Sequence, residues 1–226
     1  YEALFTQDAG ADAYNVAVGY QAGVSVSTGT ENTIMGGLAG DALTTGNRNV
    51  AIGYDALGAE VRGDRNVAIG FDALGDQSNA GHVDVYNTAV GYEAGKAVTT
   101  GTQNTIIGGL AGDALTTGSY NVALGAYALS SEDTGSGNVA IGREALENQN
   151  YDGTAYNIAI GYQTGKYITT GTNNTIVGGL AGDALTTGIQ NVAIGRDALT
   201  SEDTGNKSVA VSSFALQTQN YDGDAY

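Results

Sequence analysis

Large and small apolar side chains alternate in short bursts along this chain, and almost every burst ends at a glycine. Val16-Ala17-Val18, Val50-Ala51-Ile52 and Val139-Ala140-Ile141 each run large, small, large before Gly19, Gly53 and Gly142. A period of two with β-branched residues predicts strands of four or five residues, with Val and Ile on one face and Ala on the other. No window carries a helical period, and Gly, Asp and Asn crowd the bends between bursts.

The bursts recur. An Asn-Val-Ala-Ile-Gly unit, with variants, begins at Asn15, Asn32, Asn49, Asn66, Asn87, Asn104, Asn121, Asn138, Asn157, Asn174 and Asn191, with a degenerate copy at Ser208. The spacings are 17, 17, 17, 21, 17, 17, 17, 19, 17, 17 and 17 residues. Counting from the Asn, position +4 is Gly in 11 of 12 rungs and position +7 is Ala in 11 of 12, with Ser212 and Thr164 as the exceptions. Position +8 alternates in pairs, Gly23, Gly40, Leu57, Leu74 and then Gly95, Gly112, Leu129, Leu146, so four rungs form a super-repeat. The chain divides into the end of a preceding rung (1–14) and super-repeats at 15–86, 87–156 and 157–226. Gly-Gly-Leu-Ala-Gly-Asp-Ala-Leu-Thr-Thr-Gly stands intact at Gly36, Gly108 and Gly178, and each long fourth rung closes on a Tyr, at Tyr14, Tyr86, Tyr156 and Tyr226.

A rung this short buries its apolar face only by stacking on its neighbours. The expected fold is all-β, a repetitive left-handed parallel β-roll or solenoid of about twelve rungs of 17–21 residues. Sheet spacing makes it a rod roughly 58 Å long. Val and Ile ladders are expected to form the interior, with Asn ladders satisfying the backbone at the turns. The Ala face lacks the Lys, Glu or Thr of a solvated surface, so a second copy is expected to cover it. That favours a parallel homo-oligomer, a trimeric fibre, with a single-chain solenoid as the alternative.

Composition narrows the function. With 24 acidic and 8 basic residues the net charge is −16. This argues against nucleic acid and anionic membranes, which demand clustered Lys and Arg. Nothing approaches a membrane-spanning apolar run. The absence of Cys removes disulfides and thiol chemistry. The opening Tyr1-Glu2-Ala3-Leu4 reads as the tail of a rung, hence a piece of a longer chain. Almost every polar residue has a copy one or four rungs away, so no unique catalytic group is expected and the chain is not read as an enzyme.

The tandem Asn-Val-Ala-Ile-Gly-x-x-Ala-Leu units, over about residues 15–226, resemble the head repeats of trimeric autotransporter adhesins and are similar to repeats in bacteriophage tail fibres. The resemblance implies a left-handed parallel β-roll that trimerises along its length. It also implies an extracellular role in attachment, on a virion tail fibre or a bacterial surface, to a host-cell or matrix partner. The rungs here are longer than those of adhesin heads, and the additional residues are expected to form outward loops.

Several residues are candidate sites. Asp41, Asp113 and Asp183 sit in the Gly-rich run, which is close to a calcium-binding nonapeptide. They are the candidate calcium ligands, the one cofactor considered, and calcium would make the chain a filament or surface-layer protein. The same run lacks the Lys of a phosphate loop. Tyr20, Tyr54, Tyr92 and Tyr162 follow the strand glycine, with Phe71, Arg143 and Arg196 at equivalent places. A Tyr row suits glycan or surface contact, and equally the packing of rings over the groove between rungs. Thr pairs at Thr44-Thr45, Thr99-Thr100, Thr116-Thr117, Thr169-Thr170 and Thr186-Thr187 raise an ice-binding reading, which their restriction to two of four rung types disfavours. Asp55, Asp72 and Asp197 read as turn residues, and His82 as a solvated loop residue.

Overall fold

The computed structural model describes residues 1–10 and 12–220. The Tyr226 landmark, the end of super-repeat 157–226 and most of its Gln-Asn-Tyr-Asp-Gly copy lie outside the described residues. The described residues hold no helix and twelve strands of three residues. The chain falls into two compact units, Tyr1–Thr117 and Gly118–Tyr226.

The first unit carries β1 (Val16–Val18), β2 (Thr33–Met35), β3 (Val50–Ile52), β4 (Val67–Ile69), β5 (Thr88–Val90) and β6 (Thr105–Ile107). The second carries β7 (Val122–Leu124), β8 (Val139–Ile141), β9 (Ile158–Ile160), β10 (Thr175–Val177), β11 (Val192–Ile194) and β12 (Val209–Val211). Within each unit consecutive strands pair in parallel and in register, as Val50 with Val67, Ala51 with Ala68 and Ile52 with Ile69. One strand per rung, with each rung bonded to the next, makes the fold an all-β parallel solenoid of about twelve turns.

The strands are shorter than expected because position +4 ends them. Gly53 has φ 133°, and a Cβ built there would lie 2.2 Å from the carbonyl oxygen of Gly70 in the next rung. Only glycine allows this approach, which is why +4 is so nearly invariant. Beyond the strand, backbone bonding continues from rung to rung, as in Asp55 N–H to Gly37 O (3.1 Å) and Leu57 N–H to Ala73 O (3.0 Å).

The expected polarity of the strand is reversed. Ala51, Ala68, Ala89, Ala123, Ala140, Ala159 and Ala193 are fully buried, whereas Val16, Val18, Val209 and Val211 are more than half exposed and the other Val and Ile of these rows are partly exposed or exposed. The interior is narrow. The +2 side chain shares this space with the +8 and +11 residues, and a β-branched side chain stands at +2 only in rungs with glycine at +8. Ile34 illustrates this: a Cβ at Gly23 would fall 2.8 Å from its Cδ1. The large residues at +1 and +3 therefore lie outside, and the Ala face is not the surface that a second copy would cover.

Buried Asn side chains lock the rungs together. Asn49 donates its amide to the Gly63 carbonyl at 2.9 Å and accepts the Asn66 backbone N–H at 2.9 Å, as Asn32 does for Asn49. The same pattern runs through Asn157, Asn174 and Asn191 to the Ser208 N–H. In the long rung from Asn138 the closing glycine, Gly153, falls one place late, and the Asn138 amide nitrogen is buried without an acceptor.

Candidate functional site

Two outward surfaces and one buried cluster hold the functional possibilities. The first surface is the apolar strand face. Positions +1 and +3 of every strand point outward, so Val50 and Ile52 continue into Val67 and Ile69 without interruption. Soluble monomers seldom expose long contiguous apolar patches.

The second surface is the column at +5. Tyr1 stacks on Tyr20 (centroids 5.6 Å, planes 9° apart), and Tyr54, Phe71 and Tyr92 form a second stack at 5.5 and 5.4 Å with planes 14° and 12° apart. In the second unit Arg143 lies 6.0 Å from the Tyr162 ring centre, and Arg196 lies 5.6 Å from that of Phe214, which stands at +6. The rings rest on one another along the stacking direction and turn their edges to solvent. The four Tyr singled out from sequence are therefore half-exposed members of ring columns. Gly37, Gly109 and Gly179, one in each super-repeat, hold the same position without a side chain.

The Asp candidates are not brought together. Asp41 and Asp113 lie in the first unit four rungs apart, and Asp183 lies in the second. Among the described residues no group of three or more His, Asp or Glu is arranged to hold a metal. Burial pushes all three carboxyls above their usual range, with the Asp55 charge adding to the shift at Asp41. One oxygen each of Asp113 and Asp183 is buried without a hydrogen bond. The first Thr of several pairs is likewise committed: the hydroxyls of Thr44, Thr99, Thr169 and Thr186 donate to carbonyls of the next rung. His82 is exposed, and its Nε2 lies 3.1 Å from the Thr45 hydroxyl.

The cluster that sequence reading missed is internal. Position +11 reads Val26, Leu43, Glu60, Gln77, and repeats as Val98, Leu115, Glu132, Gln149 and Ile168, Leu185, Glu202, Gln219. Glu60, Glu132 and Glu202 are fully buried. Oε1 of Glu60 accepts the N–H groups of Val61, Arg62 and Gly63 at 2.9, 3.0 and 2.7 Å; Oε2 accepts the amides of Gln77 and Asn79 at 2.9 Å each. Gln77 in turn accepts from Asn87 at 2.9 Å. Glu132 repeats the motif through Gly135 and Gln149, and burial raises its carboxyl above the usual range. The Glu60 and Glu132 carboxylates accept from backbone and side-chain amides and are closed off from solvent. The signal lay in the four-rung recurrence at +11.

Comparison of the chain with protein-family models, curated proteins and solved structures returned no match.

Proposed function

We propose that this chain is a stiff extracellular spacer or head segment, of the kind found in a phage tail fibre or a bacterial surface adhesin, and that it works as a parallel assembly of identical chains. The observation that carries the reading is the outward apolar strip of the strands: within each unit position +3 is Val, Ile, Leu or Met throughout, beside a +1 row of Val and Ile that Thr33, Thr88, Thr105 and Thr175 interrupt. Copies of one chain carry the same rows in the same order, so parallel copies in register would bring apolar side chains against apolar side chains. Three copies would enclose the strip around one axis. The layers of backbone bonding, the Asn ladders and the buried Glu clusters resist bending and proteolysis, as a spacer requires. Attachment to a host-cell or matrix surface would then fall to side chains facing away from that axis.

Light scattering at several concentrations tests this directly. A mass of three chains supports the fibre; a mass of one chain with the strip still exposed would overturn it.

A further inference from the structure

The ring column of the first unit has a single missing member between two rings. Tyr20 closes one stack and Tyr54 opens the next, and the rung between them carries Gly37. The Gly37 backbone forms the floor, held on both sides by Leu38 N–H to Tyr20 O (2.9 Å) and Asp55 N–H to Gly37 O (3.1 Å). Two rung steps, about 10 Å by sheet spacing, leave room for one planar group between the rings. Within the stacks the ring faces are taken up by neighbouring rings or, for Tyr162, by the Arg143 guanidinium. Among the described residues no ring or cation stacks on the inner faces of Tyr20 and Tyr54.

The surroundings select the kind of group. Asp55 follows Tyr54, and Asp41 stands near enough for the two charges to repel each other. Neither carboxylate has an ion pair with a described residue. The second unit shows what the column accepts in place of a ring: Arg143, at +5, lies on Tyr162 within about 6 Å, the range of cation–π attraction, and Arg196, also at +5, lies on Phe214 at +6 of the next rung. The matching gap at Gly179 is flanked by Tyr162 and by cationic Arg196, so it would repel a second cation.

We propose that the gap at Gly37 is a receptor site for a guanidinium group, an arginine side chain of a partner protein inserted edge-first between Tyr20 and Tyr54. Guanidinium is planar and stacks on ring faces on both sides, and its edge donors reach carboxylates; the tetrahedral ammonium of lysine does not fill a planar slot. The site is independent of the assembly state proposed above.

The test is a titration of the isotopically labelled chain with N-acetylarginine N-methylamide, followed by amide resonances. The lysine and tyrosine analogues serve as comparisons. The expected result is saturable shifts at Gly37, Leu38 and Asp55 with the arginine probe, at least fivefold weaker with lysine and absent with tyrosine. Gly37→Tyr completes the column and should abolish the shifts. Gly37→Ala is the milder control: its Cβ would stand 3.6 Å from the Tyr54 ring, an ordinary contact, so the fold is kept while binding weakens. No saturation with arginine, equal binding of lysine, preferential binding of tyrosine, or binding retained in Gly37→Tyr would each overturn the site.

Discussion

The carboxylate of Glu60 and the side-chain amide of Gln77 meet 2.9 Å apart in a fully buried contact between consecutive rungs. With three backbone N–H groups and Asn79 also donating, Glu60 stays buried without a cation because every lone pair is used. Glu60→Ala strands these donors in the core and should cost about 3 to 5 kcal/mol. Glu60→Gln keeps one acceptor oxygen and should cost less, about 1 to 2 kcal/mol. Urea unfolding of the two variants checks the order; equal losses would mean that volume, not hydrogen bonding, sets the effect.

Two glycines one rung apart should respond in opposite ways. At Gly53 a methyl group would meet the Gly70 carbonyl and sit at φ 133°, so Gly53→Ala should cost about 3 kcal/mol or more. Gly37→Ala makes only an ordinary contact and should change stability by less than about 0.5 kcal/mol or raise it. Thermal melts of the pair decide this.

Acidification should first stabilise the chain. The carboxyls of Asp41, Asp55, Asp113, Asp183 and Glu132 are raised above their usual values, chiefly by burial. For a raised carboxyl the stabilising contribution is complete below the unfolded value and is lost as pH rises through the folded one. Relief of the net charge of −16 acts in the same direction. Glu144 has the opposite sign: its hydrogen bond to Lys166 lowers it to about 2, so its contribution is present above its ordinary value and is lost as pH falls toward 2. The melting temperature should therefore rise from pH 7 to about pH 5 and fall again below about pH 4. A melting temperature that is flat or falling between pH 7 and 5 would contradict this.

Charging the outer strip should separate chains without unfolding them. Val50 and Val67 are neighbours in the outward row, and neither side chain contributes to the interior. The double change Val50→Glu with Val67→Glu should reduce the solution mass to one chain and leave circular dichroism unchanged. An unchanged multimeric mass would place the interchain contact elsewhere.

Much of the fold was legible in the sequence. Each of the twelve strands starts one residue after the Asn or Ser of the motif, and the 17-residue spacing is the observed pairing register. The facing of the strands was not. Alternation of Val and Ala fixes a period of two but not which phase is inside. The deciding clue was size compensation: position +2 is Ile at Ile34, Ile106 and Ile176, the rungs in which Gly40, Gly112 and Gly182 hold +8. Residues that trade volume share a core. Left-handed backbone at Asp55 and Leu57 (φ 56° and 55°) was also invisible, because side chains seldom adopt it and here the bonding of each rung to its neighbours imposes it. Of the candidate sites, the Tyr positions emerged as ring columns, whereas the Asp residues share no common centre.

The alternating character of the interior also governs how such a chain changes length over evolutionary time. Loss of the single rung that bears Gln77 would set Glu60 against Val98 and strand its carboxylate beside a hydrocarbon. Loss of four rungs would instead return Glu60 to a Gln, at position 149. Gain or loss of a block of four rungs therefore preserves this contact, so chains related to this one are expected to differ in reach by multiples of that block.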